Sequence, residues 1–246
     1  MRHVELTSAT TGWRGSVVQY GHWGKPVLVF PSEAGRAWDF ENNGMVDALR
    51  WLLDAGRIKL YCVDSADAAT WSDRSVPLEE RARRHDQYEQ WVLQEVVPFV
   101  HGDSGGPAPI ITVGCSLGAF HAANIALRNA HVFPLALCMS GSYDPSQWHA
   151  WGDRGDAVYF HNPMDYVANL EGDHLEWLRR SVHLVLVVGQ GAWEVDPTRA
   201  LPSTRAFAEV LAAKGISHDL DVWGHDVPHD WTSWQRQAAH HLGRLT

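Results

Sequence analysis

The sequence predicts an α/β fold: a mostly parallel central sheet with helices on both faces. Short β-branched runs alternate along the chain with longer stretches of helical period. The central runs are apolar throughout, as strands covered on both sides require. No self-similarity at roughly 20 to 50 residues interrupts the alternation, so solenoids and propellers are excluded. A length of 246 residues suits one unit of this kind, and a single domain over 1–246 is expected.

Each element has its own signal. Segments 2–7 and 14–20 read as a leading antiparallel pair. Pro26-Val27-Leu28-Val29-Phe30-Pro31 follows as a buried strand bounded by prolines. Met45, Leu49, Leu52 and Leu53 share one helical face and Gly56 stands just past them, which predicts a helix over 45–53. A strand at 58–64 precedes a long helix over 78–97. Its Tyr88, Trp91, Val92, Glu95 and Val96 fall three and four apart, and Pro98 is expected to end it. A loop at 102–109 leads into strand 110–113, a glycine-flanked turn at 114–118 and a helix over 119–129. After strand 135–139, residues 141–180 break the rhythm with Tyr143, Trp148, Trp151, Tyr159, Phe160 and further aromatic residues. They are expected to form a cap-like excursion over one end of the sheet. Alternation resumes with strand 182–188, helix 203–214 stopped by Gly215, strand 219–223 and a last helix over 231–245.

Composition narrows the function. A formal net charge of −9 repels phosphate backbones and anionic lipid, so neither nucleic acid nor a membrane surface is an expected partner. The longest apolar run, 182–188, is too short to cross a bilayer and contains His183. Residues 1–6 lack the apolar stretch of a secretory signal, and a cytoplasmic location is expected. Cys62, Cys115 and Cys138 are odd in number and lack C-x-x-C spacing, which suggests reduced thiols instead of disulfides or a zinc ribbon. No cofactor and no metal is expected. His225 and His229 have the i, i+4 spacing of a metal pair, but Pro228 opposes a helix through them and no third ligand is evident.

The chemistry-bearing signal is Gly114-Cys115-Ser116-Leu117-Gly118. Its two glycines permit a sharp strand-to-helix turn that lifts the central serine clear of the sheet. A β-branched strand before it and an alanine-rich helix after it supply the context that turn needs. A serine hydroxyl is a weak nucleophile and requires a base, itself oriented by an acid. Glu194 and Asp196 both stand in the loop after strand 182–188, and Glu194, three residues past Gly191, is the preferred acid. His229, just ahead of the last helix, is the expected base, with His225 a structural hydrogen-bonding residue. Backbone N–H groups of Leu117 and of Ser32 or Glu33 are candidates for holding an oxyanion. Trp71 and Trp193 are candidates for lining a substrate pocket. One decoy is set aside. Gly102-Asp103-Ser104-Gly105-Gly106-Pro107 spells the serine motif of chymotrypsin-like proteases, but the alternating helices and strands exclude that two-barrel fold, so it reads as a helix-to-strand loop.

Taken together, the pair ending Tyr20-Gly21, the 26–31 strand and its loop, the Gly-Cys-Ser-Leu-Gly turn, Gly-Gln-Gly-Ala-Trp-Glu and His-Asp-Val-Pro-His-Asp-Trp resemble the esterase D type of α/β-hydrolases. That group includes S-formylglutathione hydrolases, feruloyl and acetylxylan esterases and mycolyltransferases. The resemblance implies an α/β-hydrolase fold and gives Ser116, Glu194 and His229 the roles of nucleophile, acid and base. It also implies a serine esterase acting on a small carboxylic ester or thioester through an acyl-serine. An acyltransferase using the same triad, or a binding protein that keeps the fold without turnover, are the other readings.

Overall fold

The computed structural model describes residues 1–246. Eight strands form one sheet: β1 (Arg2–Thr7), β2 (Arg14–Tyr20), β3 (Lys25–Phe30), β4 (Ile58–Val63), β5 (Ile111–Cys115), β6 (Leu135–Met139), β7 (His183–Val188) and β8 (His218–Val222). Their spatial order is β1-β2-β4-β3-β5-β6-β7-β8. Only the β1–β2 and β2–β4 pairings are antiparallel, and β3 to β8 run parallel.

Alternate residues of each strand serve the two faces. Along β3, Leu28 and Phe30 join one buried apolar cluster while Val27 and Val29 join the other. The first cluster also receives Tyr88 and Trp91 from α4 (Leu78–Trp91), the alanines of α6 (Leu117–Arg128) and Phe207 from α10 (Ala200–Lys214). The second receives Met45, Leu52 and Trp234 from α2 (Met45–Ala48), α3 (Arg50–Asp54) and α11 (Trp231–Leu245). Helices therefore cover both faces, as expected. The half-exposed edge strand β8 carries Asp219 and Asp221, charges that discourage further strand pairing.

Two expectations about helices need correction. The 45–53 helix is split at Leu49 into α2 and α3, and a further short helix α1 (Asp39–Asn42) precedes them. Nor does Pro98 end the long helix. The chain widens into one π-helical stretch over Val92–Val96 and continues as α5 (Val97–Asp103), with Pro98 in its first turn. There the ring meets no demand for an N–H donor, because the wide turn restarts the hydrogen-bond ladder.

The excursion at 141–180 contains α7 (Asp156–Phe160), α8 (Pro163–Asn169) and α9 (Gly172–Ser181). Asn162 caps α8 by accepting from Met164 N–H, and Glu79 of α4 accepts from the N–H groups of Gly155, Ala157 and Val158. These bonds tie the excursion to α4.

Candidate active site

The Gly114–Gly118 turn can be made only by glycine at both ends. A Cβ on Gly114 would lie 2.0 Å from the Gly118 carbonyl oxygen, and one on Gly118 would lie 2.2 Å from the Pro31 oxygen. Between them Ser116 sits at φ 56°, ψ −122°, strain that a serine adopts only when the surroundings dictate it. Its N–H donates to the Met139 carbonyl at 2.9 Å, anchoring the turn to the end of β6. Adjacent Cys115 is fully buried, and burial pushes its thiol well above the usual range.

His229 and Glu194 arrive on two loops joined backbone to backbone. The Gly191 N–H donates to Val227 O and the His229 N–H to Ala192 O, both at 2.9 Å. This close approach accounts for the Gly-Gln-Gly sequence, because a Cβ on Gly189 would come within 2.0 Å of the Val227 oxygen. Beyond it only Glu194 turns inward: it is fully buried, whereas its neighbours Trp193 and Val195 are 62% and 55% exposed.

The three side chains form a relay. His229 Nε2 lies 3.0 Å from Ser116 Oγ, and His229 Nδ1 lies 3.1 Å from Glu194 Oε2. The carboxylate fixes the tautomer, since Nδ1–H must donate to it, which leaves the Nε2 lone pair facing the serine hydroxyl. Glu194 Oε1 accepts from Ser140 Oγ at 2.6 Å and from the Gly189 N–H at 3.3 Å. Ser140 in turn accepts from Trp234 Nε1 at 3.1 Å, and the Trp234 ring stands edge-on to His229 at 5.0 Å. Sequence reading missed Ser140 and Trp234. The available signal was a serine followed by glycine at the carboxyl end of β6, the edge from which the triad rises.

The other candidates divide. Asp196 is exposed and makes no contact with His229, so the carboxylate facing the base is Glu194. Trp71 is buried and lines the cleft above Ser116, a space of about 220 Å³ also bounded by Leu117, Trp148, Arg199 and His229. Trp193 does not line it. The turn at Trp193, φ 68°, directs that side chain to solvent and brings Pro197, Thr198 and Arg199 to the cleft in its place. His225, expected to hold a structural hydrogen bond, is exposed and makes none with its side chain, because the Gly224–Val227 turn projects it away from both loops. The Ser32 and Glu33 N–H groups are unengaged within the chain, in the loop where Pro31 packs against Gly118. The decoy serine Ser104 lies near the amino-terminal side of β4, 3.0 Å from Tyr61 Oη, in a cluster with Asp103 and Lys59.

A mostly parallel sheet, a serine held on a strained strand-to-helix turn and a histidine backed by a buried carboxylate, in the order Ser, Glu, His, define an α/β-hydrolase. The chain belongs to the family described as "Putative esterase", whose profile matches residues 61–245, and it is accordingly a serine ester hydrolase. Solved structures agree in fold. A ferulic acid esterase aligns with TM-score 0.74 at 16% identity over 100% of this chain and 96% of its own. The S-formylglutathione hydrolase FrmB from Staphylococcus aureus aligns with TM-score 0.72 at 12% identity, covering 99% and 95%. MPT51 (FbpC1) of Mycobacterium tuberculosis reaches TM-score 0.75 at 15% identity over 98% and 96%. No curated protein matches the chain. No helix is long and apolar enough to cross a membrane.

Proposed function

We propose that Ser116 is the nucleophile, His229 the general base and Glu194 the orienting acid in hydrolysis of a small carboxylic ester or thioester. The observation that carries this reading is the pair of contacts at His229, 3.0 Å to Ser116 Oγ and 3.1 Å to Glu194 Oε2. Ser116 Oγ attacks the carbonyl carbon while His229 Nε2 takes its proton. The oxyanion that forms accepts from the Leu117 N–H and from the N–H of Ser32 or Glu33. Collapse expels the alcohol or thiol, which leaves with the proton from His229, and an acyl-serine remains. Water, deprotonated by the same nitrogen, then releases the acid and restores Ser116. Glu194 stays ionised and stabilises the imidazolium.

The cleft suits a small substrate, with Trp71, Trp148 and Leu117 as its apolar wall. Because a ferulic acid esterase and an S-formylglutathione hydrolase are among the structural neighbours, esters of aromatic acids and thioesters are the first compounds to test. The net charge of −9 argues against nucleic acid as a partner, and three buried free cysteines suit a reducing compartment such as the cytoplasm. The chain acts in this reading as one domain, with 141–180 as an excursion that contributes Trp148 to the cleft.

The test is labelling with a fluorophosphonate followed by peptide mass analysis. The expected result is one adduct, on Ser116, and loss of both the adduct and ester turnover in Ser116→Ala with the far-ultraviolet circular dichroism unchanged. Turnover above about 1% of wild type in that variant removes Ser116 from the role.

A further inference from the structure

A larger cavity than the cleft at Ser116 lies elsewhere in the molecule. It is a groove of about 1000 Å³ beside α4, α6 and α7, and polar side chains including Asp86, Glu89, Arg128 and His161 line it. Where it reaches the core, His85 and Glu89 stand one turn apart on the buried face of α4, and His161 follows α7 on the excursion opposite. All three are at least 96% buried. Glu89 Oε2 lies 4.0 Å from His85 Nε2 and 3.7 Å from His161 Nδ1, and the three ligand atoms lie within 4.8 Å of one another.

This cluster is poorly served by hydrogen bonds. Arg128 Nε donates to Glu89 Oε1 at 2.8 Å, but the buried Oε2 accepts from nothing. His85 Nδ1 is likewise buried without a partner. A buried carboxylate oxygen without a donor keeps its desolvation cost uncompensated. A cation shared with the two facing imidazoles removes that cost.

We propose that His85, Glu89 and His161 form a binding site for one divalent cation of the zinc type, separate from the catalytic triad. Two imidazoles and one carboxylate are a known zinc donor set with a fourth position open. Tetrahedral zinc at about 2.0–2.2 Å from each donor sets the donors about 3.4 Å apart, so the separations of 3.7 Å, 4.0 Å and at most 4.8 Å must close by about 0.3 to 1.4 Å through side-chain movement. His161 is set for this role. Asn124 Nδ2 donates towards its Nδ1 at 3.3 Å, a bond the cation would displace to take that nitrogen's lone pair, and its Nε2 faces Asp86 Oδ1 at 3.4 Å. A carboxylate behind a ligating histidine is the arrangement that fixes the ring and strengthens the bond. The groove gives the ion its access route.

The bound ion would staple α4 to the excursion. Trp71 packs on His85 at 5.1 Å and on Trp148 at 5.7 Å, so the staple lies directly behind the wall of the catalytic cleft.

The test uses zinc itself. Protein freed of metal with a chelator is titrated with zinc against a chromophoric competitor, and separately with cobalt to record its visible ligand-field bands. The expected result is one zinc per chain, a raised Tm, and affinity at least about tenfold weaker in both Glu89→Gln and His161→Asn. Should Glu89→Gln fail to fold, His161→Asn carries the test, with its fold checked by circular dichroism. Absence of stoichiometric zinc in the wild type overturns the proposal, as does affinity unchanged in the folded variants. The first result would leave a metal-free ionic network around His161, and the second would put the zinc on surface ligands.

Discussion

Two histidine–carboxylate pairs of the molecule, at His229 and at His121, differ in one respect. His229 faces Glu194 at 3.1 Å and His121 faces Asp67 at 2.8 Å, and both carboxylates are fully buried. The difference lies at the other ring nitrogen. His229 Nε2 meets Ser116 Oγ in an open cleft, whereas His121 Nδ1 is buried and meets no polar group. A buried histidine–carboxylate pair is therefore not by itself a catalytic device. What turns one into a base is a nucleophile and substrate space at the nitrogen the carboxylate leaves free. The His121 pair acts through the backbone: Asp67 also accepts from the Ala34 N–H at 3.2 Å, which steadies the loop carrying Ser32 and Glu33.

The largest effect that can break this comparison comes from Glu194, the carboxylate proposed to orient His229. Glu194→Gln keeps the shape but replaces an acceptor by an amide that can offer its NH₂ to His229, favouring the wrong tautomer. The expected fall in kcat is between about 10²- and 10⁴-fold, with KM little changed. Asp196→Asn, at an exposed position two residues on, is expected to stay within about twofold of wild type, in keeping with a surface substitution. Steady-state kinetics on one activated ester, with both variants side by side, decides. The reverse ranking moves the acid to Asp196.

How much of this was legible in the residues follows from which interactions are local. The Ser116 turn was readable because two steric demands, at Gly114 and Gly118, fall within five residues of sequence. The last helix was readable to its exact bounds, 231–245, because Asp230 caps it by accepting from Ser233 N–H. The helix over 78–97 was readable in position but not in extent, since a π turn that neutralises Pro98 leaves no period of its own. Glu194 could be preferred over Asp196 only by its spacing from Gly191. The deciding fact, that Glu194 alone among residues 192–197 points inward, depends on the loop's pairing with 227–229. Ser140, Trp234 and the His85–Glu89–His161 cluster were not legible, because each unites residues from distant parts of the chain that only the packed sheet brings together.

The structural pair should answer in stability instead of rate. His121→Leu leaves Asp67 buried without the His121 hydrogen bond, and taking one partner from a buried hydrogen-bonded group costs about 1–3 kcal/mol. Thermal unfolding should show a Tm lower by several degrees, while the protein that remains folded keeps kcat within about tenfold. A loss of rate as deep as that of Glu194→Gln, at unchanged Tm, would erase the distinction between the two pairs. A third pair, His241 with Asp221 at 3.0 Å, is weaker again. Burial lowers the His241 value although Asp221 opposes it. The folded state therefore binds this proton less readily than the unfolded chain. The associated stability is fully present above the ordinary histidine value of about 6.5 and declines as pH falls through it. Urea midpoints measured between neutral and mildly acid pH should show that slope, and His241→Gln should flatten it without touching ester turnover.

The smallest effect belongs to the second histidine of the catalytic loop. His225 precedes His229 by four residues, and in sequence it competes for the same role, yet its side chain is exposed and unbonded. A base at Nε2 must be unprotonated to accept the serine proton, so kcat/KM falls as acid protonates it, and the titration belongs to whichever histidine faces Ser116. His225→Ala should accordingly give a pH–rate profile that superimposes on wild type in midpoint and height, within about twofold. His229→Ala should remove the titrating activity altogether, leaving at most a low, flat residue from the oxyanion donors. If instead His225→Ala shifts or abolishes the profile while His229→Ala preserves it, then the loop after β8 runs in a different register. The zipper between Gly191 and Val227 would then have to slip with it, because that pairing sets which of the two imidazoles reaches the serine.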